Sequence, residues 1–398
     1  MTPEQHELAK TLVERARAMI PTLKARANEA AAQGQVHTET VQEMQEAGFF
    51  RVLQSSRYGG YELDPQVFFD VQMALAEGDM SVAWIYGVIA VHNWQIALFD
   101  DRASQEVWKD DTSVLISSSY MPVGKVEHVD GGFKLSGRWG FSSGSEHCQW
   151  TFLGAIVPPK PGEPAGPPDM RTFLIPRSDY TIVENWDTIG LKATGSNDIV
   201  VDGAFVPEYR THKAGDGFAC MSPGNAVNTA PLYKLPFGQI FVRAVSSGAI
   251  GALQGAIDAF IDVTAKRVGV NDGKKGSQDP DAQMALAKAQ TYVDELKLVL
   301  RRNFDMQMAA ARGEIEPVTL EQRIRMRYES ALVLQKCVEG IDLMFNVCGG
   351  GGIFNSHPVT KYWLDIHAGR GHVANQPGKF GRNWGAVELG EPNTDFFL

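Results

Sequence analysis

A chain of 398 residues, 44% hydrophobic and 21% charged, is too long for one simple core and reads as two or three packed globular modules. Its net charge of -10 argues against nucleic acid as a partner, because phosphate backbones are met by clustered Lys and Arg. The apolar runs fall short of the ~20 residues that span a bilayer. Four cysteines without a CxxC pair fit reduced thiols in a cytoplasmic protein with no membrane partner.

The chain opens on Glu4 and Glu7 instead of a basic stretch, so no export signal is read. From Pro3 to about Val107 the hydrophobic period is helical: Leu8, Leu12, Ala16 and Ile20 recur every four residues. Pro65 to Leu98 reads as two helices interrupted near Gly78 and Asp79. From Asp111 to Arg210 the period drops to two, with Val126, His128, Phe133, Leu135 and Trp139 in the first short runs. Gly- and Pro-rich breaks separate these runs, which predicts an antiparallel sheet or small barrel. Long helices return after Phe237. The clearest are Ala282 to Arg312 and a second from Pro317 to about Val347. The division expected is a helical domain over residues 1–110, a β domain over 111–212 and a helical bundle over 213–398, an α+β protein.

Several chemistries are excluded by missing motifs. There is no GxxxxGK[ST] loop, no GxSxG elbow and no HExxH, and no Cys/His cluster has ligand spacing, so no metal is expected. Gly349 to Gly352 follows a helix instead of a strand, which reads as a helix-to-helix turn and not as a dinucleotide site.

Three segments are polar where their surroundings predict apolar residues. One is Val91-His92-Asn93-Trp94 within an apolar helix. The second is Ile116-Ser117-Ser118-Ser119-Tyr120 at the head of the first strand. The third is Arg138-Trp139-Gly140-Phe141-Ser142-Ser143-Gly144, where an aromatic followed by hydroxyls suits a flat ring lying on Trp139 with its edge hydrogen-bonded.

The third segment resembles the acyl-CoA dehydrogenase fold, in which a Trp followed by small hydroxyl residues binds a flavin. So do Trp186 to Pro207, "WDTIGLKATGSNDIVVDGAFVP", and Gly349 to Gly369, "GGGGIFNSHPVTKYWLDIHAG". The resemblance implies an N-terminal helical domain, a β-barrel-like middle and a C-terminal four-helix bundle. One departure matters: eight residues after Asp365, where dehydrogenases keep a catalytic glutamate, stands Val373, with His372 beside it. The segments "VHNWQIALF", "SSSYMPVGKVE", "WGFSSGSEH" and "DIHAGRGHVAN" are more similar to the two-component flavin-dependent monooxygenases, the p-hydroxyphenylacetate hydroxylase oxygenases among them. "NTAPLYKLPFG" resembles the branch acting on the phenolic A-ring of a 9,10-secosteroid, with Gly238 where the p-hydroxyphenylacetate enzymes carry an arginine.

That resemblance implies ortho-hydroxylation of a phenol with O2 and reduced FMN or FAD through a C4a-hydroperoxyflavin, the flavin coming from a separate reductase. The expected substrate is the secosteroid phenol of the 3-HSA 4-hydroxylase type, with p-hydroxyphenylacetate as the alternative. An acyl-CoA dehydrogenase and a non-catalytic flavin-binding protein are the rival readings. The catalytic residues implied are His92, His372 and Ser143, the last at flavin N5. Ser118, Tyr120 and Trp94 would line the substrate, and Trp139, Ser142, Ser143, Thr194, Ser196 and Gly350 the cofactor. One histidine would serve as base and the other would orient the phenol, with an ionisation near neutrality. A homotetramer is expected too, from apolar residues such as Met306, Met308, Ala331, Val333 and Leu334 beyond one helix stripe.

Overall fold

The computed structural model describes residues 1–160, 162, 164, 166–269 and 273–398. Helix α1 (Pro3–Gln33) starts on a capping box, in which Thr2 and Gln5 each bond the other's backbone N–H, and it ends on Gly34 at φ +71°. Helices α2 (Thr38–Glu46), α3 (Pro65–Gly78), α4 (Met80–Gln95) and α5 (Asp101–Trp108) complete the first block. The break between α3 and α4 falls at Asp79, whose carboxylate accepts the Ser81 N–H at 2.7 Å and caps α4. Every residue of α4 is buried, as expected of a helix apolar on all sides. It is the axis of the molecule, packed against α3, the helices that follow the sheet, and the sheet itself.

The seven strands are β1 (Ile116–Val129), β2 (Gly132–Ser142), β3 (Trp150–Val157), β4 (Asp169–Pro176), β5 (Thr181–Val183), β6 (Asn197–Pro207) and β7 (Thr211–Lys213). Their order is β5-β6-β2-β1-β3-β4-β7. The expected antiparallel sheet needs one correction, since β1 and β3 run parallel. The connection after β2 carries the chain from one side of β1 to the other, so β3 returns in β1's own direction. Period-two patterning sets which residues face inward and says nothing of strand direction.

Beyond the sheet lie α6 (Ala214–Ala219), α7 (Phe237–Ala244), α8 (Gly248–Lys266), α9 (Pro280–Ala311), α10 (Leu320–Asn346), α11 (Pro358–Arg370) and α12 (Pro377–Glu388). Helices α8 to α11 pack as a bundle, and α3 lies on α8, so both helical blocks share one core. By length and composition Phe237–Lys266 is apolar enough to cross a membrane, but 94% of its most apolar window is buried inside the fold. The expected second apolar face also needs correction. Met308, Ala331, Val333 and Leu334 are buried within this chain, because α7, α9, α11 and α12 surround α10. The exposed large apolar side chains of α9 are Met284 and Leu298.

Candidate active site

Trp84, Val88 and His92 stand four residues apart on α4 and therefore share one face. His92 is completely buried, with Nδ1 2.6 Å from the Ile116 carbonyl. A carbonyl only accepts, so Nδ1 carries the proton and Nε2 holds a lone pair. That Nε2 is buried without a partner. Burial pushes His92 down to about 3, against the smaller upward pull of the Ile116 hydrogen bond, so the imidazole is neutral at pH 7. Phe152 and Tyr120 stand edge-on to it, with ring centroids at 5.4 and 6.0 Å.

The three serines of β1 divide by strand alternation. Ser117 accepts from Ser142 at 3.3 Å and Ser119 donates to the Gly140 carbonyl at 2.7 Å, both toward β2. Ser118 takes the other face with Ile116 and Tyr120, toward His92. The Tyr120 hydroxyl donates to Gln95. Burial raises its pKa well above the usual phenol value, against its side-chain hydrogen bonds with Ser118 and Gln95. Trp94 is not part of this wall. Two residues beyond His92 it points ~200° round the helix, bonds the Leu232 carbonyl at 2.9 Å and stacks on Phe237 from behind.

At the other end of the α4 stripe, the Trp84 indole N–H donates to Ser143 Oγ at 3.3 Å. Ser143 and Ser196 are 2.7 Å apart, Ser196 and Thr194 also 2.7 Å, and Thr194 donates to the Leu191 carbonyl at 2.8 Å. With the Thr194 proton committed there, Ser196 must donate to Thr194 and Ser143 to Ser196. Ser143 therefore keeps one lone pair and no free proton. Leu191, at φ +52°, donates its N–H to Asp365 at 2.6 Å. Lys361 joins Asp365 at 2.6 Å to Asp79 at 3.0 Å, tying this loop to the cap of α4. Burial pulls the Lys361 ammonium down, but the two carboxylates outweigh it and hold it above its usual range.

His372 reaches the same end. Its Nδ1 accepts from the Ala374 N–H at 3.1 Å, so the neutral ring carries its proton on Nε2. The ring stands edge-on to Trp84 at 5.8 Å. Burial, helped by the nearby Arg327, lowers His372 to about 4. Neither histidine therefore ionises near neutrality as the sequence suggested. Trp84 thus links His372 with Ser143. Eight residues of helix separate Trp84 from His92, ~12 Å of rise, and no hydrogen bond or ring contact among the described residues joins the two histidines.

Two expected cofactor residues lie elsewhere. Trp139 is fully buried inside the sheet, its indole N–H bonded to the Gly154 carbonyl at 2.9 Å, so neither face is open to a ligand. The pairing of β2 with β6 shifts between Trp139 and Ser142, and this bulge holds Phe141 at φ +64° and turns it outward, 66% exposed and edge-on to Trp186. Phe141 is thus the open aromatic of the motif. Gly350 sits in the exposed turn Gly349–Ile353 and makes no contact with the Ser143 cluster in this chain. Sequence reasoning missed Trp84, although its four-residue spacing to Val88 and His92 is legible, and it missed Lys361 and Asp79, whose partnership spans 282 residues. Among the described residues no cluster of His, Cys, Asp and Glu could hold a metal.

Comparison with known proteins places this arrangement. Residues 2–109 match the acyl-CoA dehydrogenase N-terminal domain and residues 244–377 the acyl-CoA dehydrogenase C-terminal domain. The oxygenase subunit HsaA of a flavin-dependent monooxygenase from Rhodococcus jostii is 38% identical, over 96% of this chain and 99% of that protein. The HsaA oxygenase subunit from Mycobacterium tuberculosis is 36% identical, over 99% of each chain. The crystal structure of 3-HSA hydroxylase from Rhodococcus sp. RHA1 superposes with a TM-score of 0.92 at 37% identity, covering 98% of this chain and 99% of that one.

Proposed function

Because this chain belongs to the oxygenase subunits of flavin-dependent monooxygenases built on the acyl-CoA dehydrogenase fold, we propose that it hydroxylates a phenol ortho to its hydroxyl, using dioxygen and reduced flavin from a separate reductase. The substrate favoured by the sequence is the phenolic A-ring of a 9,10-secosteroid. The single observation that carries the reading is the buried, unpartnered Nε2 lone pair of His92, an acceptor for a proton set between the rings of Tyr120 and Phe152.

The residues present fit a flavin. Phe141 offers an open aromatic face, and the one lone pair left on Ser143 suits the N5–H that the reduced ring carries. Reduced flavin, when bound, would supply the two electrons that activate dioxygen, one oxygen atom of which goes to the ring and the other to water. The protein's share is orientation, proton control and dryness.

His92 accepts the phenol's hydrogen bond, and His372 donates one from Nε2–H. A phenol titrates near ~10, so its full transfer to His92, at about 3, is uphill by roughly 10 kcal/mol. His92 therefore does not ionise the phenol beforehand. It takes the proton as the ring gains oxygen and turns acidic, when the positive charge on the imidazole is offset by the charge leaving the substrate.

Mixing the chain with chemically reduced FMN or FAD, air and a phenol tests the reading. A catechol one oxygen heavier by mass spectrometry is expected, and stoichiometric hydrogen peroxide without catechol would reject it. A tetramer belongs to the same reading, supported by the exposed apolar residues Met284, Leu298, Ile353 and Phe354. A stable monomer at micromolar concentration by light scattering would overturn it.

A further inference from the structure

One charged residue stands where α10 is otherwise apolar. Ile324, Ala331 and Leu334 lie three, four and seven residues from Arg327, and all three are buried, so Arg327 takes a core position. It is 2% exposed, and a cation so deep in a fold needs partners. Its guanidinium lies over the Phe380 ring, 3.4 Å from the centroid, and its Nε is 3.9 Å from Asp395, too far for a hydrogen bond. The C-terminal segment carries that carboxylate. Asn383 on α12 bonds the Asn393 side chain at 2.8 Å and receives the Thr394 N–H at 2.9 Å, and Asp395 follows, buried. Burial pulls Arg327 down to about 10, opposed by Asp395, so the group is still a cation at pH 7. Among the described residues, the one hydrogen bond it makes goes to the Ala374 carbonyl at 3.0 Å.

Ala374 is the middle residue of the turn Val373–Asn375, and it is engaged on both sides. Its N–H meets Nδ1 of His372, and its carbonyl meets Arg327. Asn375 closes the turn, donating its N–H to the His372 carbonyl at 2.9 Å and its side chain to the Gly369 and Val245 carbonyls at 3.0 Å each. Holding the Ala374 carbonyl limits how far that residue can turn its N–H away from the imidazole. A neutral imidazole has one donor and one acceptor nitrogen, and the N–H at Nδ1 keeps the proton on Nε2. Without it the proton can move to Nδ1. Both histidines would then present lone pairs to a phenol that has one hydroxyl proton to give.

We propose that Arg327 is a positioning residue for His372: bonded to the Ala374 carbonyl and backed by Phe380 and Asp395, it holds the turn that keeps His372 a hydrogen-bond donor. Its charge acts in the same sense, since a cation near the ring opposes a second proton there. The link to substrate rests on the phenol-hydroxylase reading, but the tautomer does not. Solid-state NMR of the full chain carrying nitrogen-15 histidine reads the tautomer directly, and His372→Ala identifies the resonances of His372. In the parent, His372 should show a bare Nδ1 and a protonated Nε2. Arg327→Met should convert that signature to a mixture of both tautomers, and single-turnover catechol formation should fall about tenfold. Arg327→Lys keeps a cation beside Asp395, yet an ammonium cannot cover Phe380 and reach the carbonyl as the planar fork does. It should show the same mixture, and it decides alone if Arg327→Met does not fold.

Adding His372→Ala to either variant should cost no further catechol, because both changes act through one group. A merely structural Arg327 would lower the melting midpoint and leave the tautomer as in the parent. That result, additive losses in the double variants, or a parent His372 with its proton on Nδ1 would each overturn the proposal. A shift of tautomer in a chain that forms no catechol would leave Arg327 in its role and reject the hydroxylase reading instead.

Discussion

The two ends of the α4 stripe hold their histidines in opposite ways. At one end His92 is fixed by a single backbone carbonyl and two aromatic neighbours, Tyr120 and Phe152, and its free nitrogen is a lone pair. At the other, His372 accepts a backbone N–H, and its free nitrogen bears the proton; around it run Trp84, three hydroxyls and the Asp79–Lys361–Asp365 charges. Both rings are neutral and lowered by desolvation, His92 fully buried and His372 half-buried, so protonation state alone does not separate their roles. The backbone group met by Nδ1 decides which ring can take a proton and which can only give a hydrogen bond.

Substitution of the histidines breaks this comparison most directly. His92→Ala should slow catechol formation by ~10²–10⁴-fold, the usual cost of a positioned acid–base group. His372→Ala, which removes a donor only, should cost about tenfold. Single-turnover assays with chemically reduced flavin measure both, and hydrogen peroxide should rise as catechol falls. Equal losses in the two variants would show that the tautomers do not set the roles.

Lys361 tests the scaffold of the His372 end. Lys361→Met leaves Asp79 and Asp365 buried without their cation, which should destabilise the fold by about 3–5 kcal/mol. Guanidinium denaturation reads that loss, and flavin affinity should weaken with it, because Leu191 loses the anchor of its N–H bond to Asp365. Unchanged stability would mean that the triad does not hold this end.

A third, smaller effect follows from what both ends share. His92, His372 and the buried His212 of β7 sit at about 3, 4 and 4, all depressed by burial from the ordinary 6.5. On acidification the unfolded chain binds protons that the native chain refuses. Their stabilising share is therefore whole above about pH 6.5 and is lost as pH falls toward 3 to 4, by at most ~1.4 kcal/mol per pH unit each. The raised carboxyl of Asp79 acts in the opposite sense at the acid end of this window. Burial lowers His147 and His357 as well, so denaturation midpoints between pH 7 and 5 should fall steadily, and His212→Gln should make the slope shallower without abolishing it. A flat profile would mean that the rings are hydrated.

Much of this was readable beforehand, for physical reasons that also mark where reading stopped. The all-apolar α4 and the period-two strands are local patterns, and the α–β–α order followed from them. The parallel β1–β3 pair and the outward turn of Phe141 depend on a crossover and a bulge, which leave hydrophobic periodicity unchanged. The pattern therefore points to Trp139 as the open aromatic, and the bulge gives that place to Phe141. The Asp79–Lys361 pair joins residues 282 apart in sequence, and no spacing rule reaches so far.

The finest test of the comparison is Ser143, where the chain of hydroxyls meets Trp84. Its proton goes to Ser196 and one lone pair takes the Trp84 N–H, so a single acceptor site remains for a bound ring. Ser143→Ala removes that acceptor, a contribution of ~1 kcal/mol, and leaves the Trp84 N–H without its partner. Flavin affinity should fall no more than about fivefold. Hydrogen peroxide released per reduced flavin should rise, because the N5 proton is no longer held. Ser143→Thr, which keeps the oxygen, should restore the parent's ratio of catechol to peroxide. A variant as tightly coupled as the parent would reduce Ser143 to a structural link between Trp84 and Ser196, and the His372 end would then owe its chemistry to the imidazole alone.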